Sequence, residues 1–211
     1  MIPNIEKYGL DTEPNTIGIV AFPGINSNRS RTQAKLDGYE KWMIALWWEN
    51  IIPAQHHKFS NVSEFLSLET EYTNIKTVIH YSYNEEFQFS YFGFGSGFIT
   101  PEALNHALIE STRNESVLRK FFLNNSTDET IHKQGQMPKY EKRLLYFSQS
   151  EGFKKCKEKI SQNHSTKNFS HEVLCDKEVV GPWSQYCYVW RYALRFPYNN
   201  SRKGDANYFL F

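Results

Sequence analysis

Ile75 to Tyr83 read IKTVIHYSY, a single imidazole set in a run of β-branched and aromatic residues. Side chains two apart on a strand share a face, and this composition fits a pleated surface packed on a core. His80 and Ser82 therefore fall on the same face. Downstream, FQFSYFGFGSGF (87–98) reads as a second, aromatic strand interrupted by three glycines. Thr100, Pro101 and Glu102 then supply a capping hydroxyl, a proline at the first helical position and an early acid, so a helix is expected over 101–112. Its apolar stripe resumes at Leu118, Phe121 and Phe122 after a polar kink near Asn114.

Upstream, TIGIVAF (16–22) is a buried first strand stopped by Pro23 and Gly24. Ser30 and Gln33 form a capping box for a helix over 31–50, with Leu36, Tyr39, Met43 and Leu46 at helical spacing and Pro53 ending it. A polar passage separates that helix from the strand at 75–83. Beyond the second helix, residues 124–141 read as a long polar loop, 143–148 (RLLYFS) as a strand and 151–161 as a short helix. Three strands are expected in the tail, at 169–175, 186–196 and 206–211. Residues 1–15 read as an irregular arm. The expected fold is α+β, a single domain over 1–211 of two pseudo-symmetric β-α-β lobes whose sheets flank a central cleft.

The net charge of +1, with both signs interspersed, argues against coating duplex DNA. An odd count of three cysteines without C-x-x-C spacing suits neither a disulfide framework nor a zinc site. The first fifteen residues show no basic region followed by an apolar run, and no stretch approaches eighteen apolar residues. No membrane partner and a cytoplasmic location are therefore expected. N-x-S/T sequons, among them Asn28, Asn61 and Asn168, are attributed to an Asn- and Ser-rich composition.

Two histidines are followed at the second position by a hydroxyl: His80 with Ser82, and His164 with Thr166. Facing each other, such pairs would place one imidazole as base and one as acid across a scissile P–O bond, since imidazole titrates near neutrality. The hydroxyls would hold the non-bridging oxygens as charge develops. No metal-ligating motif accompanies them, so metal-independent chemistry without a cofactor is expected. These motifs resemble those of the two-histidine phosphoesterase superfamily, which includes the bacterial LigT-type RNA cyclic phosphodiesterases. The resemblance implies His80 and His164 as catalytic residues, with Ser82 and Thr166 binding phosphate. It also implies hydrolysis of a cyclic or 2′-linked nucleotide phosphodiester, on a small nucleotide or an RNA end. In the tail strand, Tyr186, Tyr188, Trp190 and Tyr192 alternate with Arg191, a pattern that offers a stacking platform for a base beside a cation. The sequence departs from the family where Asn163 and Lys167, rather than apolar residues, flank the second motif.

Other signals compete. Gly93, Gly95 and Gly97 form G-x-G-x-G before a helix start, so a nucleotide- or S-adenosylmethionine-binding α/β enzyme is the alternative enzymatic reading. A non-catalytic protein that binds a nucleotide or a partner is the third. IGIVAFPGINSNR (17–29) resembles the opening of class I glutamine amidotransferases, but no cysteine follows an apolar strand in a Gly-rich turn as their nucleophile does. Ser148 to Gly152 faintly resembles a nucleophile elbow and is read as a helix cap. His56 and His57 read as a solvated loop pair, and Lys154, Lys155, Lys157 and Lys159 as the polar face of a helix.

Overall fold

The computed structural model describes residues 16–124, 139–162, 169–195 and 208–209. In chain order the elements are β1 (Thr16–Gly24), α1 (Ser27–Trp48), β2 (Ala54–Lys58), β3 (Ser63–Thr70), β4 (Thr73–Asn84), β5 (Phe89–Gly97) and α2 (Thr100–Asn124). Then come α3 (Lys139–Ser148), α4 (Ser150–Ile160), β6 (Val173–Glu178) and β7 (Tyr188–Arg195). The class is α+β. One sheet has three antiparallel strands in the order β1-β7-β6, and the other is a four-stranded antiparallel meander, β2-β3-β4-β5.

The helix α1 begins one turn earlier than the capping box suggests. Asn26 is its cap, its side chain accepting from the Arg29 amide at 3.1 Å. Ser30 is instead buried, its hydroxyl lying against the Asn26 and Tyr188 carbonyls. The helix ends before Pro53, where Asn50 takes φ 60° and the Ile51 amide bonds back to the Leu46 carbonyl at 2.9 Å. That is a left-handed cap, a conformation asparagine tolerates better than most residues. Residues 42–48 are all buried, so the last two turns face protein on every side. The three-stranded sheet packs on one side of α1, and β3, β4 and β5 pack on another. What separates the sheets is thus this helix, rather than an open cleft.

Nor do the strands divide into an N-terminal and a C-terminal half, because β1 pairs with β7 at the far end of the chain. The second half also departs from the expected element order. RLLYFS (143–148) is the end of α3, a helix that begins at Lys139. Six apolar-rich residues do not distinguish a buried strand from a buried helical turn. Here Leu144, Leu145 and Phe147 are buried, the leucines against Phe89 and Leu118. The polar passage after α1 contains two strands, β2 and β3, and the second half of α2 continues without a break at Asn114. Of the expected strand at 206–211, only Tyr208 and Phe209 are described. They lie in a bend, both buried, with Phe209 against Trp47, Trp48 and Phe147.

The relation of α2 to β5 fixes the geometry of the candidate site. Gly93, Gly95 and Gly97 line one face of the strand, where α2 crosses it so closely that any side chain would collide. A Cβ at Gly93 would stand 2.1 Å from the Ala107 carbonyl oxygen, and one at Gly95 would stand 2.2 Å from that of Ala103. The strand is also the edge of its sheet. Three α2 side chains four residues apart satisfy its outward backbone. His106 Nδ1 donates to the Ser96 carbonyl (2.9 Å), Glu110 accepts from the Phe94 amide (2.8 Å), and Asn114 donates to the Phe92 carbonyl (2.8 Å). Four helical residues rise about 6 Å and two strand residues about 6.7 Å, so the two ladders nearly match. An exposed edge invites pairing with another chain, and here α2 covers it.

Among the described residues, no helix is long and apolar enough to cross a membrane.

Candidate functional site

His80 is 3% exposed, on the face of β4 that meets α2. Its Nε2 lies 2.6 Å from the Ser63 hydroxyl and its Nδ1 lies 2.9 Å from that of Ser111. The Ser111 hydroxyl donates to the Leu108 carbonyl at 3.0 Å, so it accepts from His80 Nδ1–H. The ring is therefore the neutral Nδ1–H tautomer, and its Nε2 lone pair accepts a hydrogen bond from the Ser63 hydroxyl. Burial pushes its pKa down to about 4. The Ser82 hydroxyl donates to the Val62 carbonyl at 2.8 Å. His80 and Ser82 thus share a face as expected, and each already has hydrogen-bond partners inside the protein; neither lines the two cavities described below. The expected arrangement of His80 at an open cleft does not hold. His164 and Thr166 lie outside the described residues.

The tail aromatics serve mostly as packing. Tyr192 is buried against Tyr39, with ring centroids 5.8 Å apart. Trp190 Nε1 donates to Asp176 Oδ1 at 2.7 Å, and the Arg31 guanidinium lies over its ring at 5.6 Å while binding the same carboxylate. Arg191 is buried on the opposite face of β7, and Tyr188 is partly exposed at the start of the strand. Tyr186 precedes β7 and stands in solvent.

The remaining motifs also resolve into contacts. The glycines of G-x-G-x-G seat α2, leaving no room there for a phosphate or an S-adenosylmethionine. His56 and His57 belong to β2, where His57 stacks on Phe65 at 4.6 Å and His56 Nε2 lies 2.5 Å from Glu64. Glu64 also accepts from the Tyr81 hydroxyl and pairs with Lys157 at 3.3 Å. Lys155 and Lys159 lie 5.6 and 5.5 Å from the Trp48 ring centroid, so the basic helix packs its cations on the core. Ser148 to Gly152 form the corner between α3 and α4, where a Cβ at Gly152 would stand 2.2 Å from the Tyr146 carbonyl oxygen.

A candidate site lies where no motif marked one. A cavity of about 570 Å³ opens between α1, α2, β5 and the start of α3. A second recess of about 250 Å³ shares Asp37, Glu40, Phe94, Glu110 and Tyr140 with it. Leu36, Phe94 and Ile109 supply apolar wall, while Asp37 and Glu40 come from α1 and Glu110 and Arg113 from α2. Tyr140 is held in place by donating to Asn114 Oδ1 at 2.8 Å. Burial, then Glu110 and Asp37, push the Glu40 carboxyl up to about 8, against weaker opposition from Lys41 and the Ser96 hydroxyl. Burial, with Asp37, also raises Glu110, opposed by its bond from the Phe94 amide and by Lys41 and Arg113. Lys41 stands 3.6 Å from Asp37; among the described residues no cation forms an ion pair with Glu40 or Glu110, although Lys41 opposes the rise of both carboxyls and Arg113 that of Glu110. Asp37 and Glu40 lie beside the apolar stripe of α1, and no short motif joins them to Glu110 of α2.

Among the described residues, no group of three His, Cys, Asp or Glu side chains could hold a metal ion. No protein-family model, no curated protein and no solved structure matches this chain.

Proposed function

We propose that this protein binds a small organic cation, an amine or guanidine on a short apolar body, in the cavity between α1 and α2. The observation that carries this reading is the opening of Glu40 and Glu110, neither with a cationic partner among the described residues, into a ligand-sized space with apolar walls. Pockets of roughly 300–1,000 Å³ with a few convergent polar groups are where small molecules bind. Partly buried carboxylates held without an ion pair carry a desolvation cost, and an ammonium or guanidinium would offset it. Leu36, Phe94 and Ile109 would cover the ligand's methylene groups, and the Tyr140 ring would stand beside its charge.

The test is titration with agmatine and with n-butylammonium, followed by amide chemical shifts and against n-butanol as the neutral control. Shifts at Glu40, Glu110 and Tyr140 with the cations, and none with the alcohol, are expected. Glu110→Gln, which still accepts from the Phe94 amide, should weaken binding about tenfold, the loss of one charge-assisted hydrogen bond. No binding at millimolar cation, or equal binding by Glu110→Gln, would refute the reading.

Phosphodiester hydrolysis by His80 and His164 has weaker support. A substrate phosphate would have to displace Ser63 and Ser111 from a ring sealed beneath α2.

A further inference from the structure

We propose that Asn28 and Asn61 carry N-linked oligosaccharides, and hence that the chain matures through a glycosylating, lumenal compartment. Each opens an N-x-S sequon, Asn28-Arg29-Ser30 and Asn61-Val62-Ser63, and the whole chain holds eight N-x-S/T sequons. Its content of asparagine, serine and threonine, distributed at random, would give only about two. Composition, the expected source, therefore accounts for a minority of them.

Three of the eight lie wholly within the described residues, and the fold treats them differently. Asn61 stands exposed in the turn between β2 and β3. That turn is held by its backbone: the Phe59 and Ser60 amides donate to the Ser63 carbonyl at 3.0 and 2.8 Å. Asn28 stands exposed on the first turn of α1, whose cap is Asn26. Among the described residues no hydrogen bond engages the side-chain amide of Asn28 or Asn61. Asn114, by contrast, is 4% exposed, and its amide donates to the Phe92 carbonyl and accepts from the Tyr140 hydroxyl. A sugar on that nitrogen would lift α2 from β5, so the folded protein carries none there.

Both free sequons also lie beside exposed apolar side chains. Phe59 and Val62, 56% and 45% exposed, flank Asn61 next to the edge strand β2. Ile25, 86% exposed, precedes Asn28 by three residues. A hydrated oligosaccharide over such groups shields them from other chains.

The transfer takes its sugar from an oligosaccharide carried on a polyisoprenoid diphosphate, on a transferase. The asparagine Nδ2 attacks the anomeric carbon of the first sugar. A C–N bond forms as the bond from that carbon to the diphosphate oxygen breaks, and the polyisoprenoid diphosphate leaves with the electron pair. One Nδ2 proton passes to a base of the transferase. Ser30 and Ser63 are buried once the chain folds, the first against the Asn26 and Tyr188 carbonyls and the second against His80 Nε2. The transferase reads the sequon hydroxyl, so transfer precedes folding, and folding leaves both sugars outside.

The deciding experiment is peptide mapping by mass spectrometry of the full chain, isolated in its folded form from the cells that make it. Peptide-N-glycosidase in heavy-oxygen water labels each asparagine that carried a sugar, and a digest without the glycosidase controls for spontaneous deamidation. Label at Asn28 and Asn61, and none at Asn114, is the expected result. An unlabelled Asn28 or Asn61, or a labelled Asn114, overturns the assignment. Stripped of its sugars under native conditions, the protein should self-associate more on sedimentation, and unchanged sedimentation would overturn the shielding.

Discussion

Acidifying the protein should destabilise it through His80, and the size of the effect follows from the ring's surroundings. The buried imidazole titrates near 4, whereas an unfolded chain's histidine titrates near 6.5. Between those values the unfolded state takes up a proton that the folded state refuses. His80's contribution is therefore complete above pH 6.5 and falls as pH drops toward 4. At about 1.36 kcal/mol per pH unit the full window is worth about 3 kcal/mol, a large part of a typical domain's 5–15 kcal/mol. Half of the effect should be visible by about pH 5. The assay is urea unfolding at pH 7.5, 6.5, 5.5 and 4.5, comparing the wild type with His80→Asn, whose side chain is neutral throughout. The variant is less stable at pH 7.5, because Ser63 and Ser111 lose their partner, but its deficit should shrink steadily as pH falls. Parallel curves for the two proteins, or a His80 ring proton titrating near 6.5, would show that water and protons reach this ring. The sealed, structural role assigned to it would then be wrong.

Two further outcomes test the frame around the cavity. Gly95→Ala places a methyl group 2.2 Å from the Ala103 carbonyl oxygen and 2.4 Å from the Ala107 amide, so α2 must move by more than an ångström. Overpacking against backbone should cost about 3 kcal/mol or more, read as a lower urea midpoint, and a midpoint within error of wild type would contradict the packing. Trp190→Phe removes the 2.7 Å bond to Asp176 while keeping an aromatic ring beneath Arg31. A loss of about 1 kcal/mol is expected, and unchanged stability would mean that Arg31 alone satisfies that carboxylate.

What could be read from the sequence was what depends on short-range pattern. The alternation of IKTVIHYSY, the stripe from Leu36 to Leu46 and the Thr100-Pro101-Glu102 start all appear as the elements they indicate. RLLYFS failed because its decisive context lies upstream, in the helix-forming residues from Lys139. The edge strand β2 failed because an edge need not bury its side chains, and AQHHK carries no apolar alternation. Pairing of β1 with β7 joins the two ends of the chain, and no local signal encodes it. The glycines were expected to interrupt an aromatic strand, and that strand is β5; what their spacing also implied went unread. At spacing two they line one strand face, and a bare face beside a helix start predicts close helix packing as readily as a phosphate loop.

The same contact explains why the candidate site lay beyond the reach of motifs. Catalytic motifs are legible when the reacting groups sit at fixed sequence spacing, as the histidine–hydroxyl pairs do. In this fold those spacings are consumed by structure: His80 by two serines, Ser82 by a backbone carbonyl, and the glycines by α2. Even in the cavity, His106, Glu110 and Asn114 are held to the edge of β5, which fixes where their remaining polar atoms stand. Glu40 stands apart from that row. It lies on a helix whose last turns are buried on all sides, beside two other acids, with no cation paired to it among the described residues. A carboxyl raised in that way costs the fold stability progressively as pH climbs from its ordinary value of 4.5 to about 8, because the unfolded chain has released a proton that the folded state still holds. Stability that falls toward alkaline pH in the wild type, but not in Glu40→Gln, would therefore measure the strain the empty cavity carries. Recovery of that stability on adding a cation would tie the strain to binding.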